Sequence, residues 1–240
     1  MQNALGSILP QAIGVAISPV PIIAVILMLF SKRARSNGPA FLVGWVLALI
    51  VVGSIVLVLA NLGKISTTGT PSTLAYILKL LLGLLFLFMS LRQWRGRPKE
   101  GEQPHMPAWM ETIDSFTAAK AFGLAALLAG VNPKNLALTL AAALSIAQAG
   151  LSGAQPWIVL AVFVIIASLT VAVPVFYYLF AGQSAEKMLN SWKAWLVANN
   201  ATVMFILLLV LGMLLLGQGL GGLIRLSLYG QSISESNVSV

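Results

Sequence analysis

The pentapeptide Asn132-Pro133-Lys134-Asn135-Leu136 interrupts a long apolar stretch that runs from about residue 117 to 149. A proline inside a helix removes one backbone N–H and frees the carbonyl four residues back, here that of Ala129. Lys134 places an ammonium far from either end of the apolar stretch. Both features are costly in hydrocarbon, and ionisable residues kept at such a cost usually have a function. The stretch therefore predicts a membrane helix that is broken at a functional site.

The composition of the whole chain supports a helical membrane protein. Of its 240 residues, 59% are hydrophobic and 8% are charged, whereas a soluble domain carries about 25% charged residues. Its apolar runs are longer than the roughly 10 residues of a barrel strand, which predicts helices. The chain has no cysteine and one histidine, His105. This excludes a disulfide framework, a thiolate metal site and a multi-histidine metal site.

Six apolar segments have the length of membrane spans. If the N-terminus is outside, the inner loops carry ten lysines and arginines and the outer side carries two, Lys64 and Arg225. Because positive loops stay inside, we predict a multi-pass protein of the inner (plasma) membrane with both termini outside. The net charge of +8 is interpreted as loop charge of this kind, so no nucleic-acid partner is expected. The segments run over about 4–30, 39–62, 73–91, 117–149, 156–180 and 197–216.

The first three segments share a pattern with the last three. Since three spans is an odd number, the second copy must enter the membrane from the opposite face, as in many secondary transporters. The predicted fold is an all-α integral membrane protein. Its six transmembrane helices form two inverted three-helix repeats, with helices 1 and 4 broken at Pro19, Pro21 and Pro133. The matching pairs are Ser18-Pro19 with Asn132-Pro133, Pro39 with Pro156, and Leu82-Gly83 with Leu211-Gly212.

The domain organisation follows from these segments. Residues 1–93 are predicted to form the first three-helix repeat and residues 117–222 the second. Between them, 94–116 is a cytoplasmic linker whose part 107–114 mixes apolar residues with acids. That part is either a short helix lying at the membrane interface or a solvated loop. The Gly-rich, then Ser-rich tail over 223–240 is expected to be disordered.

The two breaks predict a substrate-binding site. At each break a half-helix begins, with unpaired N–H groups near Ile22 and Ile23 at the first break and near Asn135 and Leu136 at the second. Carbonyls freed by the prolines are those of Val15, Ile17 and Ala129. Lys134 adds a positive charge, and Ser18, Asn132 and Asn135 offer hydrogen bonds. All six acids lie outside the spans, so an anion such as phosphate, sulfate or carboxylate is favoured over a cationic amino acid or a metal.

Alternatives remain for the two lysines of the spans. In the alternative for Lys134, its ammonium bonds to the freed carbonyls and only pins the break. Lys79 is a further candidate for substrate binding. It lies about six residues into its segment, and in the alternative its side chain extends to the outer interface. The sequence shows no nucleophile–base pair, Walker loop or dinucleotide fingerprint. We therefore expect no catalytic residue, no metal, no cofactor and no enzyme activity.

Four stretches carry a resemblance to a known family: Ser18-Pro19-Val20-Pro21-Ile22, Pro107-x-Trp109, Ile113-Asp114 and Asn132-Pro133-Lys134-Asn135-Leu136. With them, over residues 3–222, the chain resembles the glycolipid- and sulfolipid-addressing (GAP/Sap) family of the LysE-type transporter superfamily. The resemblance implies a six-helix inner-membrane protein that helps to move cell-envelope glycolipids or peptidoglycolipids outward. Members of the wider superfamily export amino acids and other small solutes, so the resemblance also implies this kind of activity.

The charge pattern and the resemblance together predict a transporter that exports an anionic, lipid-linked envelope component by alternating access. One alternative is a small-solute or amino-acid exporter. Another is an accessory protein that scaffolds a separate lipid exporter and moves nothing itself. Lipid-facing gaps between spans would favour the lipid, and a sealed aqueous cavity would favour the solute. Expected partners are the membrane, the lipid-linked anion, and either a second copy of the chain or a separate lipid-export complex.

Overall fold

The computed structural model describes residues 1–62, 73–97, 112–113 and 115–238. Within these ranges the chain is all-helical, as predicted, and a 3₁₀ turn over Gly182–Ala185 joins the last two helices. Of the interfacial helix predicted over 107–114, only Thr112 and Ile113 belong to the described residues, so it stays a prediction. The helices are α1 (Gln2–Ala16), α2 (Pro19–Leu29), α3 (Ala34–Asn61), α4 (Thr73–Arg95), α5 (Ala118–Gly130), α6 (Pro133–Ala147), α7 (Gln155–Ala181) and α8 (Glu186–Val238).

The lengths and hydropathy of these helices indicate a membrane protein. Four of them, α3, α4, α7 and α8, are long and apolar enough to cross a bilayer. Two further pairs reach this length only when taken together: α1 with α2, bent by 52°, and α5 with α6, bent by 62°. The described part of the chain therefore has four candidate spans, or up to six if each bent pair is one span.

Proline sets the position of both bends. Pro19 and Pro133 are the first residues of α2 and α6, where a missing N–H costs nothing. The residue before a proline is driven out of the helical region, and Ser18 is accordingly extended, with φ −122° and ψ 93°. The predicted breaks at these two prolines are confirmed. Pro21 instead lies within the first turn of α2, and it leaves the carbonyl of Ile17 without a helical donor.

Two helices extend beyond the limits expected from the sequence. Helix α3 begins at Ala34, so Pro39 lies inside it and does not open it. Helix α8 runs without interruption from Glu186 to Val238, whereas the sequence predicts that the last helix ends near residue 216. Contact with α4 explains part of this: a Cβ at Gly219 would lie 2.7 Å from Leu80. The glycines of this region allow the two helices to approach each other closely.

The helices pack in a pattern that places the two bends next to each other. Helix α4 lies along α8, α3 packs against α5, α6 and α7, and α1 packs against α6 and α7. The α4–α8 contact includes a reciprocal pair of glycines. A Cβ at Gly83 would lie 3.0 Å from the carbonyl oxygen of Gly212, and one at Gly212 would lie 3.1 Å from that of Gly83. The contact of α1 with α6 brings the break before Pro19 beside the break before Pro133.

Candidate functional site

The Lys134 ammonium joins the two breaks. Its side chain is only 2% exposed and extends from the first turn of α6 to the carboxyl end of α1. There Nζ donates to the carbonyl oxygens of Gly14 at 2.6 Å and Ile17 at 3.1 Å, and to the Ser18 hydroxyl oxygen at 2.6 Å. An ammonium has three donors, so all of them are used by the first broken segment.

The charge of Lys134 is compensated by backbone dipoles. The carbonyls at the end of a helix carry partial negative charge, and a cation beside them is stabilised. Gly14 lies in the last turn of α1 and Ile17 follows it. All six acids of the chain lie outside the spans that the sequence predicts. Of these two acceptors, only the Ile17 carbonyl is one that a proline, Pro21, leaves without a helical donor.

Ser18 and Asn135 extend this hydrogen-bond network to the second break. The Ser18 hydroxyl lies 2.7 Å from the carbonyl oxygen of Val15 and 3.0 Å from Asn135 Oδ1. It has one proton, so it donates to one of these acceptors at a time. Asn135 Nδ2 donates to the carbonyl oxygen of Leu128 at 2.8 Å. The network therefore joins the carboxyl ends of α1 and α5.

The other predicted site residues have different positions. Asn132 caps α6: its Oδ1 accepts from the Lys134 backbone N–H at 3.1 Å, and its side chain is half-buried. Lys79 lies on α4 and contributes no hydrogen bond to this network. Asn132 thus borders the network of Ser18, Lys134 and Asn135, whereas Lys79 is separate from it.

The structure corrects the predicted backbone groups of the site. Two of the N–H groups expected to be unpaired are already bonded: Ile22 donates to the Ser18 carbonyl at 3.2 Å and Leu136 to the Asn132 carbonyl at 2.9 Å. Each of these N–H groups makes a backbone hydrogen bond in the first turn of its own helix. Of the freed carbonyls, those of Val15 and Ile17 take part, but at the second break it is Leu128 that accepts, and not Ala129.

Two contributors were not identified as site residues from the sequence. Gly14 supplies a main-chain carbonyl, which no side-chain pattern reveals. A Cβ at this position would lie 2.7 Å from a methyl group of Leu211 and 2.8 Å from one of Leu138, so both side chains would have to shift. Thr170 of α7 donates to the carbonyl oxygen of Ala16 at 2.6 Å. A hydroxyl within a span was the available signal for Thr170, although helix packing is the commoner role of such a residue.

Two apolar grooves lie on either side of the first break, both against α8. The tryptophan groove, of about 410 Å³, lies between α2, α7 and the start of α8. It is lined by Trp192 and Trp195 and includes Thr170. The α1–α8 groove, of about 380 Å³, includes Gly14 and Ile17, whose carbonyls hold Lys134. Several half-exposed apolar side chains line both grooves, so each opens sideways between helices. Those side chains include Val173 and Trp195 in the first groove, and Ile206 and Val210 in the second.

The site holds a lysine ammonium by hydrogen bonds between two broken helices. Among the described residues no cluster of three or more His, Cys, Asp or Glu could hold a metal ion. If α1 moved away from α6, the Lys134 ammonium would lose two backbone acceptors and would need others. An anionic oxygen is the strongest replacement acceptor for an ammonium.

Comparison with known proteins gives one match. The family model described as "Sap, sulfolipid-1-addressing protein" matches residues 8–221, which includes both breaks and nearly the whole helical array. No curated protein and no solved structure matches.

Proposed function

Because this chain belongs to the family described as Sap, sulfolipid-1-addressing protein, we propose that it exports an anionic, lipid-linked envelope component. The family and the apolar helices indicate a membrane protein linked to lipid handling. The observation that carries the proposal of transport is the Lys134 ammonium, buried where two broken helices meet. Broken helices that meet around a polar site are the arrangement found in secondary transporters.

The hydrogen bonds of Lys134 define a closed state in the proposed mechanism. With all three donors bonded to Gly14, Ile17 and Ser18, the ammonium has no donor left for a substrate. In the open state the first broken segment separates from α6, and the anionic head group replaces the two carbonyl oxygens. Return of the segment releases the head group on the other side. In this mechanism Lys134 stabilises the closed state by its hydrogen bonds and binds the substrate in the open state.

The two grooves favour a lipid-linked substrate over a small solute. Each opens sideways, and each approaches the first break, where Thr170 and Gly14 lie. A head group at the break can therefore keep its chains in an apolar environment while it moves. A water-filled cavity closed to the bilayer would be the arrangement expected for an amino-acid exporter. Membership of the LysE-type superfamily is part of this proposal.

The packing pattern supports six spans arranged as two inverted repeats. In the two proposed repeats, α3 corresponds to α7, α5 to α1 and α6 to α2. The contacts of α3 with α5 and α6 occur, and so do the corresponding contacts of α7 with α1 and α2. The reciprocal approach of Gly83 and Gly212 is what two equivalent residues at a two-fold axis produce. Bends of 52° and 62° are smaller than a right angle, so each second half-helix continues in the general direction of the first.

The proposed topology in the plasma membrane has both termini outside, and it can be tested by labelling. The chain has no cysteine, so single cysteines can be introduced one at a time. In intact cells a membrane-impermeant maleimide is expected to label Gln2→Cys and Ser152→Cys. It should reach Ser36→Cys and Ser191→Cys only after the cells are opened. All four positions are exposed, so a difference in labelling reports the side of the membrane. Labelling of Ser36→Cys in intact cells would contradict the six-span arrangement.

Transport itself is tested in liposomes that contain only this protein. A dithionite-sensitive fluorescent group on the head of an anionic lipid reports movement between leaflets. We expect transfer of the anionic probe to exceed that of a zwitterionic probe with the same chains, because the site presents a cation without an acid. Absence of transfer in these liposomes, with restoration when envelope-lipid exporters are added, would identify an accessory protein instead.

A further inference from the structure

We propose that the tryptophan groove and the α1–α8 groove form one track for the acyl chains of an anionic lipid, with its entry at Lys193. This inference rests on the proposed function, because it names the path of the substrate's chains past the same break. It adds a binding surface along α8 that is separate from Lys134 itself. Three features of the described residues carry it: the length of the track, the charge at its entry, and its continuity with the break.

The length of the track matches the thickness of a bilayer. The α8 residues that line the two grooves extend from Trp192 to Leu214. At about 1.5 Å per residue, this part of α8 spans about 33 Å, and the hydrocarbon core of a membrane is about 30 Å thick. Both grooves, of about 410 and 380 Å³, are lined almost entirely by apolar side chains, which suits acyl chains. The occupant must therefore be apolar where it lies in either groove.

A cation, Lys193, lies beside the tryptophan groove near the start of α8. Lys193 follows Trp192, a lining residue, and its Nζ lies 5.6 Å from the centre of the Phe30 ring at the end of α2. A contact with an aromatic face orients an ammonium but does not neutralise its positive charge. Tryptophan and lysine side chains together are typical of the level of lipid head groups. The entry is thus complementary to an anionic head group whose chains lie in the groove.

The track is continuous with the candidate site. Thr170 lines the tryptophan groove and donates to the Ala16 carbonyl beside the break. Gly14 and Ile17 line the α1–α8 groove and hold Lys134. A chain in the track therefore passes next to the acceptors that keep the closed state. A head group that moved from Lys193 to the break would there be close to the Lys134 ammonium.

The track can be tested by fluorescence quenching in nanodiscs of phosphatidylcholine. Single cysteines carry a bimane label at Val173 and Val210, which line the track, and at Ile165 and Met213, which are on the same two helices but outside it. All four side chains are at least 46% exposed, so labelling should be comparable. Each sample receives the same fraction of nitroxide-labelled acyl lipid, either phosphatidylglycerol or phosphatidylcholine. The ratio of quenching by the two lipids removes any effect of depth.

We expect the ratio to favour phosphatidylglycerol about fivefold at Val173→Cys and Val210→Cys, the enrichment that one basic side chain gives near an anionic lipid. At Ile165→Cys and Met213→Cys the ratio should stay near one. Adding Lys193→Gln should abolish the preference. Equal ratios at all four positions, or a preference that persists with Lys193→Gln, would overturn the proposal.

Transfer measurements on the same protein separate this inference from the proposed function. Val210→Trp fills the α1–α8 groove and should reduce transfer of the anionic probe, whereas Met213→Trp should not. Full transfer by Val210→Trp would refute the track and leave the transport proposal intact. Selective quenching in the track without any transfer by the unmodified protein would refute transport and retain the lipid-binding surface.

Discussion

Lys134→Met is expected to abolish export and to destabilise the closed form. Methionine retains an unbranched apolar stem but has no donor, so the buried carbonyls of Gly14 and Ile17 lose the bonds that Lys134 gives them. A buried acceptor left without a donor costs about 1–3 kcal/mol. The charge that would attract the substrate is lost as well. Export is measured with the anionic probe in liposomes, and stability by thermal unfolding in detergent at the same protein concentration.

Lys120→Met is the matched control for this prediction. Lys120 is exposed near the start of α5, so its replacement should change neither export nor the unfolding temperature. Lys134→Arg keeps the charge and should preserve part of the export if charge alone matters. If Lys134→Met lowers the unfolding temperature but its folded fraction exports at the full rate, Lys134 is only a structural pin. That result would remove the binding role assigned to its ammonium.

Asn132→Asp is expected to retain the fold and to reduce export of an anion at least about tenfold. Asn132 caps α6 through the Lys134 backbone N–H, and aspartate caps a helix as well as asparagine does. A carboxylate is also favourable at the start of a helix. Within the site, however, it places a negative charge beside the position proposed for the head group. Juxtaposed like charges cost several kcal/mol, and about 1.4 kcal/mol already corresponds to a tenfold change.

Asn132→Ser separates charge from capping. Serine caps a helix about as well as asparagine and adds no charge, so this variant should export nearly as the unmodified protein does. Both variants are compared by thermal unfolding and by transfer of the anionic and the zwitterionic probes. Unchanged transfer of the anionic probe by Asn132→Asp would mean that no anionic head group approaches this end of α6.

Much of the architecture could be predicted from local sequence. The hydrophobic runs specify helices because the bilayer offers no other partner to the backbone. The breaks at Pro19 and Pro133 follow from the geometry of proline and of the residue before it. The limits of α3 and α8 were harder to predict, because polar residues and glycines weaken the hydropathy signal. In α8 the glycines are accommodated by contact with α4, as Gly219 is beside Leu80, and such contact is invisible in a local pattern.

The sequence alone determined that the chain is helical, that two helices are broken, and that a lysine without an acid stands at one break. The tertiary structure decided what that lysine contacts. Its acceptors are 116 to 120 residues away in the chain, and two of them are backbone carbonyls, which every residue carries. Such partners are selected by how α1 and α6 approach each other, and not by residue type. The grooves along α8 arise in the same way, from packing between helices that are distant in the sequence.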